Sequence, residues 1–137
     1  MTWLVVAAST AAMMEPWAAW VHRRVWHGAL WRVHRTHHRR GFRWLEGNDA
    51  LSVLHAPVAA ASVIAGCLWP GLGGQLMFGV GVGMTAFGAA YVVVHDGFVH
   101  GRLPVGWLER FGYFRQLRAA HLAHHRANGG PFGLFWF

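Results

Sequence analysis

Residues 50–94 read ALSVLHAPVAAASVIAGCLWPGLGGQLMFGVGVGMTAFGAAYVVV and contain no Lys, Arg, Asp or Glu. The stretch is too long for one membrane crossing, and it contains a turn signal, Trp-Pro-Gly-Leu-Gly-Gly, at residues 69–74. We therefore predict two helices, over residues 50–68 and 75–94. A helix of that length spans about 29 Å, close to the hydrocarbon thickness of a bilayer. Both helices are expected to cross a membrane.

A third apolar stretch lies at residues 3–21, where Glu15 is the only charged side chain. It has no basic segment before it and no Ala-x-Ala cleavage site after it, so we expect it to be retained as a helix. The predicted fold class is all-α: an integral membrane bundle of about three to four transmembrane helices with a cytoplasmic histidine-rich cap. We predict a single domain over residues 1–137.

The composition supports a membrane protein. Hydrophobic residues make up 55% of the chain and charged residues 12%, against about 25% charged in soluble domains. This composition argues against a soluble globule, and its high hydrophobicity excludes a disordered chain.

The net charge of +7 comes from 12 Arg and no Lys, in two blocks at residues 23–43 and 102–126. The N-terminus and the turn at residues 69–74 carry no positive charge. The positive-inside rule therefore places both blocks, with the C-terminus, in the cytoplasm and the N-terminus outside. This asymmetry accounts for the charge without nucleic acid, and the Arg-rich face is expected to attract anionic membrane lipid.

Ten of the 11 histidines fall in four clusters. Two have the form HxxHH and two have the form Hx4H, and the second half of the chain repeats the order of the first. On a helix, residues three and four apart share a face, so each HxxHH box presents its imidazoles together. Neutral imidazole suits Fe, Zn, Cu or Ni. Ten imidazoles are too many for one ion, and the sequence predicts a dinuclear metal site.

A single HxxHH box could instead be a solvated polar face. Four clusters at the same predicted depth favour metal binding, because chance gives no reason to collect imidazoles at one membrane boundary. The eleventh histidine, His55, lies inside the second predicted crossing, where we expect a buried, hydrogen-bonded residue and not a ligand.

The spacing of the two Hx4H clusters does not fit a regular α-helix. Five residues turn about 500°, which leaves the two imidazoles about 140° apart. Three explanations remain open. The two histidines could address different metals, a π-bulge could bring them together, or, for His95 and His100, the helix could end between the flanking glycines.

Four segments of the chain resemble one family, and they read EPWAAWVHRRVWHGALWRVHRTHH, GNDAL, MTAFGAAYVVVHDGFVHGRLP and HLAHHRA. They are similar to the bacterial β-carotene 3-hydroxylase family, within the membrane fatty-acid hydroxylase and sterol desaturase group. HDGFVH is the more specific element, because all membrane di-iron oxygenases of this kind share the HxxHH boxes.

The resemblance implies a non-haem di-iron monooxygenase. It implies two iron ions, O2 as co-substrate, electrons from a ferredoxin-type donor, and a carotenoid substrate taken from the bilayer. The implied reaction hydroxylates C3 of a β-ionone ring, giving β-cryptoxanthin and then zeaxanthin. By motif position, the implied iron ligands are His22, His27, His34, His37, His38, His95, His100, His121, His124 and His125.

Three carboxylates are candidates for supporting catalysis from outside the ligand set. Glu15 lies seven residues before His22, on the same helical face and inside a crossing, where an ionisable residue is a functional candidate. Asp49 and Asp96 lie at the cytoplasmic ends of the next two helices, where each could orient a ligand imidazole through its second N–H group. For Asp49, a helix N-cap is the alternative.

The substrate is not fixed by histidine spacing. A fatty-acid or sterol hydroxylase or desaturase of the same group is one alternative, and a haem-carrying or metal-transporting membrane protein is another. Because β-carotene dissolves in the bilayer, we expect a sideways opening between helices. The small residues from Gly79 to Ala90 could line such a groove, or could only allow close helix packing.

Overall fold

The computed structural model describes residues 1–39 and 45–137, and within these two ranges it contains helices and no strand. This confirms the predicted all-α class. Arg40 and Arg43 of the first Arg block lie outside the described residues. The helices, in chain order, are α1 (Thr2–Val21), π1 (His22–Ala29), α2 (Trp31–His38), α3 (Gly47–Ser52), α4 (Ala56–Leu68), α5 (Gly71–Tyr91), π2 (Val92–Val99), a 3-10 helix (Gly106–Arg110) and α6 (Gly112–Ala127).

In the described part of the chain, three helical segments are long and apolar enough to cross a membrane, as many as the sequence predicts. They are Thr2–Ala29, Gly47–Leu68 and Gly71–Val99. The turn between the second and third segments is shorter than the predicted turn at residues 69–74, because Gly71 reverses the chain at a φ of 75°. Glycine adopts this left-handed conformation without steric cost, so the helix continues through the glycine-rich residues that follow.

The second segment is interrupted near its start. α3 ends at Ser52, and α4 begins at Ala56 after a three-residue turn. Pro57 accounts for the break, because its ring would clash with the carbonyl four residues earlier in a continuous helix. His55 therefore lies at the N-cap position of α4, inside the second apolar segment as expected, and it is half-buried where we expected a buried residue.

The chain divides into two compact units, and the first consists of residues 1–14 and 52–90. Its helices pack through glycines. A Cβ at Gly79 or Gly83 would lie 2.6 or 2.5 Å from a backbone carbonyl of α1, and a Cβ at Gly81 would lie 2.7 Å from the carbonyl of Ala59. Of the two alternatives that the sequence left open, these three glycines therefore serve close helix packing and do not line a groove. Gly88 has nothing within 4 Å.

The second unit consists of residues 15–51 and 91–137, and it contains all ten clustered histidines. Its basic C-terminal stretch contains the 3-10 helix and α6. A buried apolar cluster joins π2, the 3-10 helix, α6 and the C-terminal tail. Its members are Val94, Phe98, Val99, Leu108, Leu117 and Leu134.

Candidate metal centre

The two Hx4H clusters lie in or at the end of π-helices. In a π-helix the backbone bonds run from residue i to residue i+5, so five residues make close to one turn. The ring centroids of His22 and His27 are 4.9 Å apart, and those of His95 and His100 are 4.8 Å apart. The backbone N–H of His100 donates to the carbonyl of His95 at 3.1 Å. Local rewinding therefore brings each pair together.

The imidazoles converge in two groups. One group has five members and the other has four, His37, His100, His121 and His125, and within each group one ring nitrogen from every member lies within 4.8 Å of the others. His95 belongs with the second group, because its Nε2 lies 3.2 Å from the Nε2 of His37. Cluster 1 contains His22, His27, His34, His38 and His124, and cluster 2 contains His37, His95, His100, His121 and His125. All ten histidines singled out in the sequence thus come together, and His55 is in neither cluster.

Hydrogen bonds to oxygen fix the tautomers in cluster 1. The Nδ1 of His22 lies 2.9 Å from the carbonyl oxygen of Phe132, and the Nδ1 of His34 lies 2.7 Å from Oδ1 of Asn48. The Nδ1 of His124 likewise faces a backbone carbonyl. Because these oxygens only accept, each Nδ1 carries the proton and each Nε2 keeps its lone pair.

In cluster 2, carboxylates fix the tautomers of two imidazoles. The Nδ1 of His37 lies 3.2 Å from Oε2 of Glu46, and the Nδ1 of His95 lies 2.8 Å from Oδ1 of Asp96. Both imidazoles therefore donate from Nδ1 and present an unprotonated Nε2. This is the arrangement that metal-binding histidines generally show.

The Nε2 atoms then face each other with no proton between them. The separation is 3.0 Å for His22 and His34 and 3.2 Å for His37 and His95. Two lone pairs at this distance repel each other and make no hydrogen bond. Two imidazoles bound at right angles to one ion, at about 2.1 Å, place their nitrogens about 3.0 Å apart. The donor sets of both clusters therefore fit a metal ion.

Burial keeps the imidazoles in the form that binds metal. His34 is 1% exposed and His124 is fully buried. Loss of hydration, reinforced by neighbouring imidazoles, lowers the pKa of His34 to about 4 and the pKa of His100 to about 3. Both side chains are therefore neutral at pH 7, with a lone pair free for a cation.

Glu15 contacts the C-terminal tail and none of the clustered histidines. Its Oε1 accepts from the backbone N–H groups of residues 134–136 at 2.7, 2.7 and 3.0 Å, and its side chain is buried. The tail that it holds includes Phe132, whose carbonyl orients His22. Glu15 therefore supports cluster 1 indirectly, through the tail.

The other two predicted carboxylates have different positions. Asp96 contacts His95, as expected of an orienting residue. Asp49 contacts no histidine in the described part of the chain; it accepts from the backbone N–H of Glu46 and from Arg102, each at 2.8 Å. It lies in the first turn of α3, three residues after Glu46, so the N-cap alternative was also wrong. A carboxylate at that position bonds back to the N-cap amide, as in a capping box.

Sequence reasoning missed two residues that orient ligands, Glu46 and Asn48. Both lie in the run Glu-Gly-Asn-Asp that follows the first HxxHH box. Polar residues beside a histidine box were the available signal. The backbone carbonyls that orient His22 and His124 carry no sequence signal, because any residue supplies a carbonyl.

A polar pocket of about 560 Å³ adjoins the clusters. Its lining residues are His37, His38, Arg39, Glu46, His100, Leu122, His125 and Arg126. Imidazoles from both clusters therefore border one cavity with two guanidinium groups beside it.

Residues 7–137 match the family model described as fatty acid hydroxylase. The chain belongs to the fatty acid hydroxylase family. This confirms the resemblance found in the sequence.

Several relatives of this chain are named as β-carotene hydroxylases. It is 43% identical over 132 residues to the chloroplastic beta-carotene 3-hydroxylase of Gentiana lutea, covering 95% of the chain and 41% of the plant protein. It is 41% identical over 128 residues to the beta-carotene hydroxylase of Pseudescherichia vulneris, covering 92% of the chain and 69% of that protein. For the beta-carotene hydroxylase of Paracoccus sp. (strain PC1), the identity is 37% over 130 residues, covering 94% and 78%.

The chain thus spans about two fifths of the length of the plant relative and more than two thirds of the two bacterial ones. No solved structure matches it.

Proposed function

We propose that this chain is a β-carotene 3-hydroxylase that works with two iron ions and O2. The observation that carries the proposal is the pair of histidine clusters, in which unprotonated Nε2 atoms face each other at about 3 Å. The names of the relatives support the choice of substrate. Five converging imidazoles in each cluster disfavour a haem protein, because haem iron takes at most two axial protein ligands.

The proposed reaction replaces a C–H bond at C3 of the β-ionone ring by C–OH. One oxygen atom of O2 enters the product, and the other leaves as water with two protons and two electrons from a ferredoxin-type donor. The bound irons supply the redox chemistry that splits O2. Hydroxylation of each ring in turn converts β-carotene to β-cryptoxanthin and then to zeaxanthin.

The protein's own residues would hold the irons, orient the ligand imidazoles and exclude water from the site. We assign cluster 1 to one iron and cluster 2 to the other. Glu46, Asn48, Asp96 and the carbonyl of Phe132 fix the tautomers, so that Nε2 is available without rearrangement. Burial of six of the imidazoles would limit the access of bulk water to the irons, which would reduce loss of oxidising equivalents to solvent.

The substrate is expected to come from the bilayer, because a hydrocarbon with no polar group has negligible solubility in water. The polar pocket between Arg39 and Arg126 is unsuited to such a molecule. We assign it to the aqueous side, where protons and a negatively charged electron donor would reach cluster 2. The positive-inside rule places this side in the cytoplasm.

The test is expression of the chain in a bacterium that accumulates β-carotene, followed by chromatography of pigments and of fatty acids. We expect zeaxanthin, preceded by β-cryptoxanthin, with no new hydroxy fatty acid. Hydroxylated fatty acids without hydroxylated carotenoid would instead establish the acyl-chain alternative. A chain with Ala at both His37 and His124 is the control, since it removes one imidazole from each cluster.

A further inference from the structure

The two clusters differ in what lies behind their imidazoles. In cluster 1, the Nδ1 atoms of His22, His34 and His124 face neutral oxygens of two backbone carbonyls and a side-chain amide. In cluster 2, the Nδ1 atoms of His37 and His95 face carboxylates. A carboxylate behind an imidazole makes it a more basic ligand than a neutral oxygen does.

One guanidinium joins the two carboxylates of cluster 2. Arg102 lies 3.2 Å from Oε2 of Glu46, the same oxygen that faces His37. It lies 3.9 Å from Oδ1 of Asp96, the same oxygen that faces His95. Asp49 is its third partner, at 2.8 Å. A single planar group thus makes ion pairs with both orienting carboxylates, through the same oxygens that face the imidazoles.

The ion pairs of Arg102 are more buried than a surface ion pair, and they are therefore stronger. The side chains of Arg102, Glu46 and Asp96 are 12%, 11% and 16% exposed, whereas Arg118 and Glu109, an ion pair of the same unit, are 38% and 59% exposed. Partly buried charges are less screened by water and salt than exposed ones. Three carboxylates close together would also repel one another without a cation among them.

We propose that Arg102 is a positioning residue that holds Glu46 and Asp96 against His37 and His95, and that cluster 2 is therefore the tighter of two unlike metal sites. The proposal rests on the assignment of one metal ion to each cluster and is independent of the substrate. In the described part of the chain, the ion pairs of Arg102 are with carboxylates and not with an imidazole, so it acts through the two carboxylates.

The test is titration of the metal-free protein, in detergent, with Co2+ alone, followed by visible absorption. We expect two binding steps of different affinity in the unmodified protein. Arg102→Gln removes the cation and is expected to weaken only the tighter step, by about 10- to 100-fold, as loss of an outer partner of a metal ligand does elsewhere. Arg102→Lys, which keeps the charge but not the planar fork, is expected to give a smaller loss.

Two further variants separate positioning from a general effect on folding. Glu46→Gln keeps an oxygen that can accept from His37 but removes its charge, and it is expected to weaken the same step as Arg102→Gln. Asn48→Leu removes the partner of His34 and is expected to weaken the other step. Arg118→Gln, at the exposed ion pair, is the matched control and is expected to change neither step.

The possible results distinguish this proposal from the one on which it rests. Two steps that are both unchanged, or equally weakened, in Arg102→Gln and Glu46→Gln would overturn the role of Arg102 and leave the two-metal assignment intact. Binding of a single Co2+ by the unmodified protein would overturn the two-metal assignment, and this proposal with it.

Discussion

At the scale of single residues, the chemistry of this site is decided by the nitrogen that each imidazole leaves without a proton. Hydrogen bonds from Nδ1 to Phe132, Asn48, Glu46 and Asp96 direct the Nε2 lone pairs into the clusters. These partners range from Asp96, the neighbour of His95 in the chain, to Phe132, which is 110 positions from His22.

The ligand assignment predicts the effect of removing one imidazole from each cluster. His37→Ala and His124→Ala are each expected to abolish hydroxylation and to lower the iron content, while the chain still inserts, because insertion depends on its apolar helices. His55→Ala is the control, since His55 is in neither cluster. Iron analysis and pigment chromatography provide the measurement, and full activity in either cluster variant would refute the assignment.

Glu15 gives a prediction about the C-terminal tail. Glu15→Ala leaves three backbone N–H groups without their acceptor, at a cost of about 1–3 kcal/mol for each group that stays buried and unsatisfied. We expect a lower thermal midpoint and faster hydrogen exchange at residues 134–136. Glu15→Gln retains an accepting oxygen, so it should change the thermal midpoint and the exchange rate less than Glu15→Ala does. Unchanged exchange in Glu15→Ala would show that the tail is held by other contacts.

The sequence showed which histidines would come together, but it showed less about the residues that orient them by hydrogen bonds. Ten histidines in repeated boxes are recognisable because their spacing places imidazoles on one helical face. The role of Asp49 could not be predicted, because the choice between an imidazole and Arg102 depends on how a distant segment folds back. Asp96 was easier, since its partner His95 is its neighbour in the chain.

At the scale of helices, two features of the sequence left alternatives open that the structure distinguishes. The Hx4H spacing does not fit an α-helix, and π1 and π2 bring its histidines together by rewinding the backbone. The small residues of α5 allowed either a groove or close packing, and Gly79, Gly81 and Gly83 are packed. Residue size alone could not decide this, because both uses require the same small side chains.

The packing of α5 predicts opposite effects for two glycine substitutions. At Gly83 a Cβ would lie 2.5 Å from a carbonyl of α1, so Gly83→Ala is expected to destabilise the protein by about 1–3 kcal/mol. At Gly88 nothing lies within 4 Å, so Gly88→Ala is expected to be neutral or stabilising by up to about 1 kcal/mol, as alanine is the better helix former.

Unfolding of the two variants in detergent measures the difference. Equal stabilities would mean that α1 and α5 do not pack closely at Gly83. Because Gly79, Gly81 and Gly83 are packed, the substrate opening is expected elsewhere, and Ala86 and Gly88 are exposed positions on α5.

At the scale of the whole molecule, the charge distribution predicts the orientation in the membrane. Three crossings would put both Arg blocks on the same side of the membrane, so a reporter fused after Phe137 should be cytoplasmic and one fused before Met1 should be external. Activity of an alkaline phosphatase fusion, which requires export, and fluorescence of a cytoplasmic reporter provide the measurement. An exported C-terminus would contradict either the orientation or the number of crossings.

The two histidine clusters are proposed to hold two iron ions in one chain. The decisive measurement is the amount of iron per chain in protein purified without oxygen and supplied with Fe2+. We expect two irons for the unmodified protein and a smaller ratio for His37→Ala and for His124→Ala. One iron per chain in the unmodified protein, or two in both variants, would contradict it.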